Sequence, residues 1–208
     1  MLEEYIPQTF LLLALAHWLA LLSPGQDFVL LVTQTLRYGH LRSRYAAFGI
    51  ALGNLAYITL VILVGAKLRD FPLLFGVIQW LGVAYLAWIG IQLIQAKPVQ
   101  LTPESRGSQP RRDLQSFSLG LGSALLNPKN ALFYLSLMSS ILGPSVTFEQ
   151  QLSSGLWMFI VVLFWDWLLV LFIGRPKFRQ TVHQYLHWLE RVSGGVFVGL
   201  AGLLAVWR

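Results

Sequence analysis

LLSPGQDF (residues 21–28) and LLNPKNAL (residues 125–132) each set a small polar residue, a proline and one ionisable side chain inside a long apolar stretch. Leu21-Leu22-Ser23-Pro24 matches Leu125-Leu126-Asn127-Pro128 at an offset of 104, half of the 208-residue chain. A proline within a helix lacks an N–H and frees the carbonyl four residues back, so the helix bends or breaks there. In hydrocarbon the freed groups must find partners or water, which confines such breaks to protein interiors and cavities. Two related breaks at corresponding positions of two halves are the pattern of a transport protein's binding site.

The composition decides the environment. Hydrophobic residues are 56% of the chain and charged residues 12%, against roughly 25% charged in ordinary soluble domains. Eight tryptophans and thirteen phenylalanines add to the apolar load, and a chain of this size lacks the polar surface to cover it in water. It reads as an integral membrane protein. The net charge of +6 sits in short segments between apolar runs, without aromatic interleaving on a polar face. That arrangement orients a protein in a bilayer and excludes a nucleic-acid partner. The chain has no cysteine, which removes disulfides, thiolate metal sites and thiol relays. Ala14-Leu15-Ala16 resembles a signal cleavage site, but Glu3 and Glu4 precede it, no basic segment does, and the apolar run continues past it. The run therefore reads as a retained helix.

About 20 apolar residues make one membrane span. Windows of that kind fall near 6–32 (broken around Pro24), 45–66, 71–94, 117–142 (broken around Pro128), 151–173 and 188–207. The expected fold is all-α, with six transmembrane helices in two three-helix halves, residues 1–94 and 117–208. The linker 95–116, with Lys97, Pro98, Pro103, Gly107, Pro110, Arg111 and Arg112, divides them. Loops 1–2, 3–4 and 5–6 hold ten of the fifteen basic residues, so the positive-inside rule puts them in the cytoplasm and both termini outside. Three spans per half make the second half enter from the opposite side, which predicts inverted repeats. Gly82, Tyr85, Leu86 and Gly90 of span 3 echo Gly194, Phe197, Val198 and Gly202 of span 6.

Asp27 lies deep in span 1, where a carboxylate costs a few kcal/mol or more unless it faces a cavity or a partner. It either serves substrate or protons or caps the half-helix that follows Pro24. Lys129 is the one basic residue in the middle of a span. It is the natural partner for Asp27 if the two breaks meet; otherwise its stem snorkels to an interface. Ser23, Asn127 and Asn130 add neutral hydrogen bonding, and half-helix N-termini favour anions. Together with Pro24, Gly25, Gln26 and Pro128, these residues describe a site for a small zwitterion. Asp166, between Trp165 and Trp167, is a second proton-carrying acid or an interfacial residue. His17 is a packed histidine or a proton relay. His183 and His187 stand four apart as zinc ligands can, but no acid or cysteine precedes Glu190 to complete a set, and no metal or other cofactor is expected. Asn54 reads as a helix–helix hydrogen bond, and the pairs Gly49/Gly53 and Gly195/Gly199 as close-packing faces.

The acid after the span 1 break, LNPKN in span 4, G-x-x-Y-L-x-x-x-G at Gly82–Gly90 and E-R-x-S-G-x at Glu190–Gly195 resemble the LysE/RhtB family of amino-acid exporters. His17 with SPGQDF is most similar to its threonine/homoserine-lactone branch. The resemblance runs the whole chain in order and spacing. It implies a multi-pass protein of the bacterial inner membrane that exports amino acids or derivatives, with protons as coupling partner. The oligomeric state, homo-oligomer or not, is left open. The family usually has a second proline where this chain has Gln26, which adds an amide beside the expected site. The rival reading is a six-span protein handling metal ions or another metabolite on a similar fold.

Overall fold

A computed structural model describes residues 5–68, 71–95, 113–139, 146–173 and 175–206. A few side chains within these ranges, including those of Pro128, His183 and His187, lie outside the description. The expected linker lies largely outside it too.

The described residues form helices α1 (Phe10–Leu22), α2 (Gln26–Tyr38), α3 (His40–Leu68), α4 (Pro72–Ile94), α5 (Asp113–Leu125), α6 (Pro128–Leu137), α7 (Phe148–Ile173) and α8 (Pro176–Val206). Proline opens α4 and α6 at their first turns, where its missing N–H costs nothing. Thr147 and Gln150 cap α7 reciprocally: each backbone N–H reaches the other's side-chain oxygen, at 3.1 and 3.3 Å. Gly39 ends α2 with φ 80°, a left-handed conformation that glycine adopts without penalty.

Four described helical stretches are long and apolar enough to cross a membrane: His40–Val64, Leu73–Ile94, Phe148–Ile173 and Trp188–Val206. The pair α1 and α2 makes a fifth if counted as one span, bent by 48° at the Ser23–Gly25 break. The expected span 117–142 begins earlier, at Asp113, and is divided into α5 and α6, each too short to cross alone. Leu11, Leu73, Leu81, Leu126 and Leu156 are among many large apolar side chains exposed on the outside of the bundle, a surface that suits lipid and not water.

Packing is closest where glycine removes the side chain. A Cβ at Gly49 or Gly120 would run into the facing backbone, Phe117 O and Ala46 O respectively, and one at Gly53 would stand 2.5 Å from Ala124 Cβ. The Gly49/Gly53 face thus seats α3 on α5. The Gly195/Gly199 face does not pack: among the described residues nothing lies within 4 Å of a Cβ at either position. Gly194, one residue earlier, makes the approach instead. Its Cβ would stand 2.5 Å from Gly90 O, where α8 crosses α4. One residue along a helix turns the chain by about 100°, enough to move the contact to a different face.

Besides a small cluster of Val83, Leu86 and Ala201, two larger apolar clusters fill the interior. One gathers Leu13, Ile58, Phe133, Leu137, Met158 and Phe197; the other gathers Phe28, Leu31, Ile50, Ala124, Leu169 and Ile173. Phe133 of the first and Phe28, Ile50 and Leu169 of the second line one cavity together with polar residues of the two breaks.

Candidate functional site

Each break leaves its polar groups facing the other. Ser23 ends α1 in an extended conformation, its N–H held by Leu19 O at 3.2 Å and Ala20 O at 3.3 Å. Gly25 then leads into α2. Asn127 caps α6 with its own side chain, accepting from the Lys129 backbone N–H at 3.0 Å. Of the carbonyls released at the end of α5, Leu125 O accepts from Tyr57 Oη at 2.5 Å and Ala124 O from Asn130 Nδ2 at 3.5 Å, while Tyr85 Oη reaches Lys129 O in the first turn of α6 at 3.3 Å. The first two bonds supply internal partners of the kind that such a break requires in hydrocarbon.

Asp27 sits in the first turn of α2 and is not an N-cap: Gly25 occupies that position and receives no side-chain bond. Its carboxylate turns to the other break instead. Oδ1 accepts from Ser123 Oγ at 2.6 Å, and Oδ2 from Asn130 Nδ2 at 2.7 Å and Asn127 Nδ2 at 3.4 Å. Three neutral donors thus hold a charge that also gains from the N-terminal end of the α2 dipole.

Lys129 crosses in the opposite direction. Its Nζ donates to Ser23 Oγ at 3.2 Å and lies 3.3 Å from where a Cβ on Gly25 would stand. A side chain at position 25 would therefore displace the ammonium. The expected ion pair is not formed: among the described residues no contact within 4.0 Å joins Lys129 to Asp27. Both charges are bound by neutral groups and both line the same cavity. Lys129 points inward and does not snorkel.

That cavity, of about 70 Å³, also takes in Ser23, Gly25, Asn54, Asn127, Asn130, His17, Tyr134 and Asp166. Its size is far below the roughly 300–1,000 Å³ of sites for drug-sized ligands, which limits it in this conformation to a small solute or a few waters. His17 is fully buried, with Nε2 3.4 Å from Tyr134 Oη, and its ring lies among Phe133, Tyr134 and Trp157. Asp166 is buried in the cavity wall, and among the described residues its Oδ2 has no hydrogen-bond partner. Asn54 does not bridge helices: its amide donates to Ile50 O of its own helix at 2.9 Å.

The match to known proteins agrees with this arrangement. Residues 18–207 match the LysE type translocator family. The chain belongs to that family. LysE family members are transporters and not enzymes. Among curated relatives, the uncharacterized membrane protein YrhP of Bacillus subtilis is 30% identical over 85% of this chain and 88% of its own length. The threonine efflux protein of Escherichia coli is 23% identical over 96% and 98%. A leucine efflux protein of Klebsiella pneumoniae is 30% identical over 56% and 55%. No solved structure matches the chain.

Of the residues singled out in the sequence, Ser23, Gly25, Asp27, Asn127, Lys129, Asn130, His17 and Asp166 line the one cavity. Pro24 and Gln26 do not line it, and Gln26 is exposed on α2. Sequence reasoning missed Ser123, Tyr57, Tyr85 and Tyr134. For Ser123 a signal exists in its place: it stands one helical turn ahead of the Asn127-Pro128 break, in a largely apolar span. Tyr134 continues the α6 face of Asn127 and Asn130 at i, i+3, i+7, Tyr85 stands in the Gly82–Gly90 motif without a sign of its part at the site, and Tyr57 carries no local signal.

Proposed function

We propose that the protein is a secondary active exporter of small amino acids, threonine- or homoserine-like or their derivatives, moving them out of the bacterial cytoplasm in exchange for protons. The observation that carries this reading is the separation of Asp27 and Lys129 inside one cavity, each satisfied by neutral groups and not by the other. A zwitterion entering between them offers an ammonium to Asp27 and a carboxylate to Lys129. Ser123, Asn130 and Ser23 are the groups that would yield to it. The N-terminus of α6 beside Lys129 adds to the attraction for a carboxylate. The names of the relatives in Escherichia coli and Klebsiella pneumoniae, threonine and leucine efflux proteins, support a neutral amino acid as cargo.

In this reading the two larger apolar clusters, which both reach the cavity, are its gates. Alternating access opens one while the other stays packed, with the Pro24 and Pro128 breaks as pivots. Asp27, Asp166 and the His17–Tyr134 pair are the groups available to carry a proton. Six spans in two inverted repeats, in the inner membrane with both termini outside, complete the proposal; the loop charge and the two matching breaks support it.

The test is a screen of radiolabelled amino acids in proteoliposomes, with and without an imposed pH gradient. Uptake of a neutral amino acid that rises several-fold with the gradient is the expected result. If no amino acid moves faster than in empty liposomes, the reading fails.

A further inference from the structure

Away from the cavity, three buried polar atoms on α2 and α5 have no hydrogen-bond partner among the described residues: Gln34 Oε1, Thr35 Oγ1 and Ser116 Oγ. All three residues are at most 5% exposed. A buried polar group left unpaired is destabilising, and three on two neighbouring helices is a heavy concentration for a purely structural device.

Their positions are ordered. The Ser123–Asp27 bond pins α5 against α2. A shallow groove along the same seam is lined by Gln26, Leu30 and Thr33 of α2 and by Ser118, Gly122 and Leu126 of α5. With Asp27 bonded to Ser123 at one end and Arg42, just past α2, paired with Asp113 at the other, the helices run antiparallel. Gln34 lies seven residues beyond Asp27, and Ser116 seven before Ser123. Each interval rises about 10 Å along its helix, which brings Gln34, Thr35 and Ser116 to one level. Fully buried Leu31 stands between the two polar levels on α2. Near the same end, Arg42 of α3 pairs with Asp113 of α5 at 3.2 Å, with both side chains partly exposed.

The two helices are anchored unequally. Gly49, Gly53 and Gly120 lock α5 onto α3 with essentially no space between backbones. The seam with α2 is looser, and among the described residues nothing stands within 4 Å of a Cβ at Gly122. Helix α2 has 13 residues and is jointed at both ends, by the extended Ser23–Gly25 segment and by Gly39 at φ 80°. It is the element that can swing while α5 stays in place.

We propose that the α2–α5 seam is the cytoplasmic access route to the cavity, and that Gln34, Thr35 and Ser116 form a second, neutral binding station on it. This rests on the exporter reading above. The station offers an amide carbonyl and two hydroxyls, a set suited to the ammonium, hydroxyl or hydration water of a small polar solute. With no charge of its own it holds cargo weakly and passes it inward, where Asp27 takes the ammonium. Leu31 closes the route when α2 lies against α5.

The chain's lack of cysteine permits a direct test. Ser116→Cys and Thr35→Cys, made singly and nearly isosteric, are treated in inside-out membrane vesicles with a membrane-impermeant cationic methanethiosulfonate. The control is Ser154→Cys, a buried hydroxyl on α7 that donates to Gln150 O at 2.7 Å. Both seam thiols are expected to react about tenfold faster than the control, since modification of a thiol depends on access. Rates equal to the control, or reaction from the outer face alone, overturn the route. A second variant, Gln34→Cys with Ser116→Cys, is expected to lose export when bridged by a short bifunctional thiol reagent and to recover it when the bridge is reduced. Export by the bridged form at the unbridged rate overturns the route as well. The modification rates need no substrate. Failure of the exporter reading would show separately, as a parental protein that moves no amino acid while the seam thiols still report access.

Discussion

Lys129 and Ser23 join the two halves of the chain: the ammonium that follows one proline break rests 3.2 Å from the hydroxyl that precedes the other. The carboxylate of Asp27 makes the reverse crossing, to Ser123 and Asn130. Two opposite charges therefore face one small space without cancelling each other. Leaving them apart is costly unless something of complementary charge enters, and the neutral donors around Asp27 keep that cost within reach.

Asp27→Asn retains the size of the side chain and removes its charge. The variant should insert and purify normally, while the KM for a neutral amino acid rises by about tenfold or more, as expected for a charged hydrogen bond worth roughly 1.5–3 kcal/mol. Purified yield separates this from misfolding, and transport at the parental rate would show that the charge has no role.

Ser123→Ala removes the shortest bond to Asp27 without touching either break. A hydrogen bond to a charged carboxylate is worth roughly 1.5–3 kcal/mol, and since Ser123 must yield to the substrate's ammonium, its removal should lower KM by about tenfold. An unchanged KM would mean that Ser123 does not compete with the substrate for the carboxylate.

Much of the site is legible in the sequence, because proline leaves its mark on a single chain segment. Ser23-Pro24 and Asn127-Pro128 both end helices as the missing N–H requires, and their neighbours line one cavity. What the sequence withholds is direction across space. Lys129 is identifiable as an ionisable group in a span, yet its attachment to Ser23 in place of Asp27 depends on how α6 approaches Gly25. Tyr57, which covers the freed Leu125 carbonyl, comes from another helix and has no local pattern. Small-residue motifs mislead for the same reason: Gly49/Gly53 and Gly195/Gly199 share a spacing, and only the rotation of each helix decides which one meets a neighbour.

The glycines give a sharp contrast in stability. Gly120→Val should sharply reduce the yield of folded protein, because a side chain there collides with Ala46. Gly195→Val has open space around it and should purify at parental yield. Detergent-solubilised melting temperatures check both, and equal behaviour would contradict the packing of α3 on α5.

Orientation is testable with two single cysteines in this thiol-free chain. In intact cells an impermeant thiol reagent should label Gln150→Cys and spare Ser108→Cys, as the loop charge requires. Labelling of Ser108→Cys alone would invert the topology and with it the side from which the α2–α5 seam opens.

The shared zwitterion site is tested most directly by ligand-induced thermal stabilisation of the purified protein. The ligand is the best substrate of the transport screen, compared with its amide, which lacks the carboxylate, and its N-acetyl form, which lacks the ammonium. Binding to the folded state raises stability in proportion to the logarithm of ligand concentration over Kd. The parent amino acid should stabilise the protein, and each derivative should need about tenfold or more higher concentration for the same shift. The Asp27→Asn variant should no longer distinguish the parent from its N-acetyl form. Equal stabilisation by all three compounds in the parental protein would contradict recognition of the ammonium by Asp27 and of the carboxylate by Lys129.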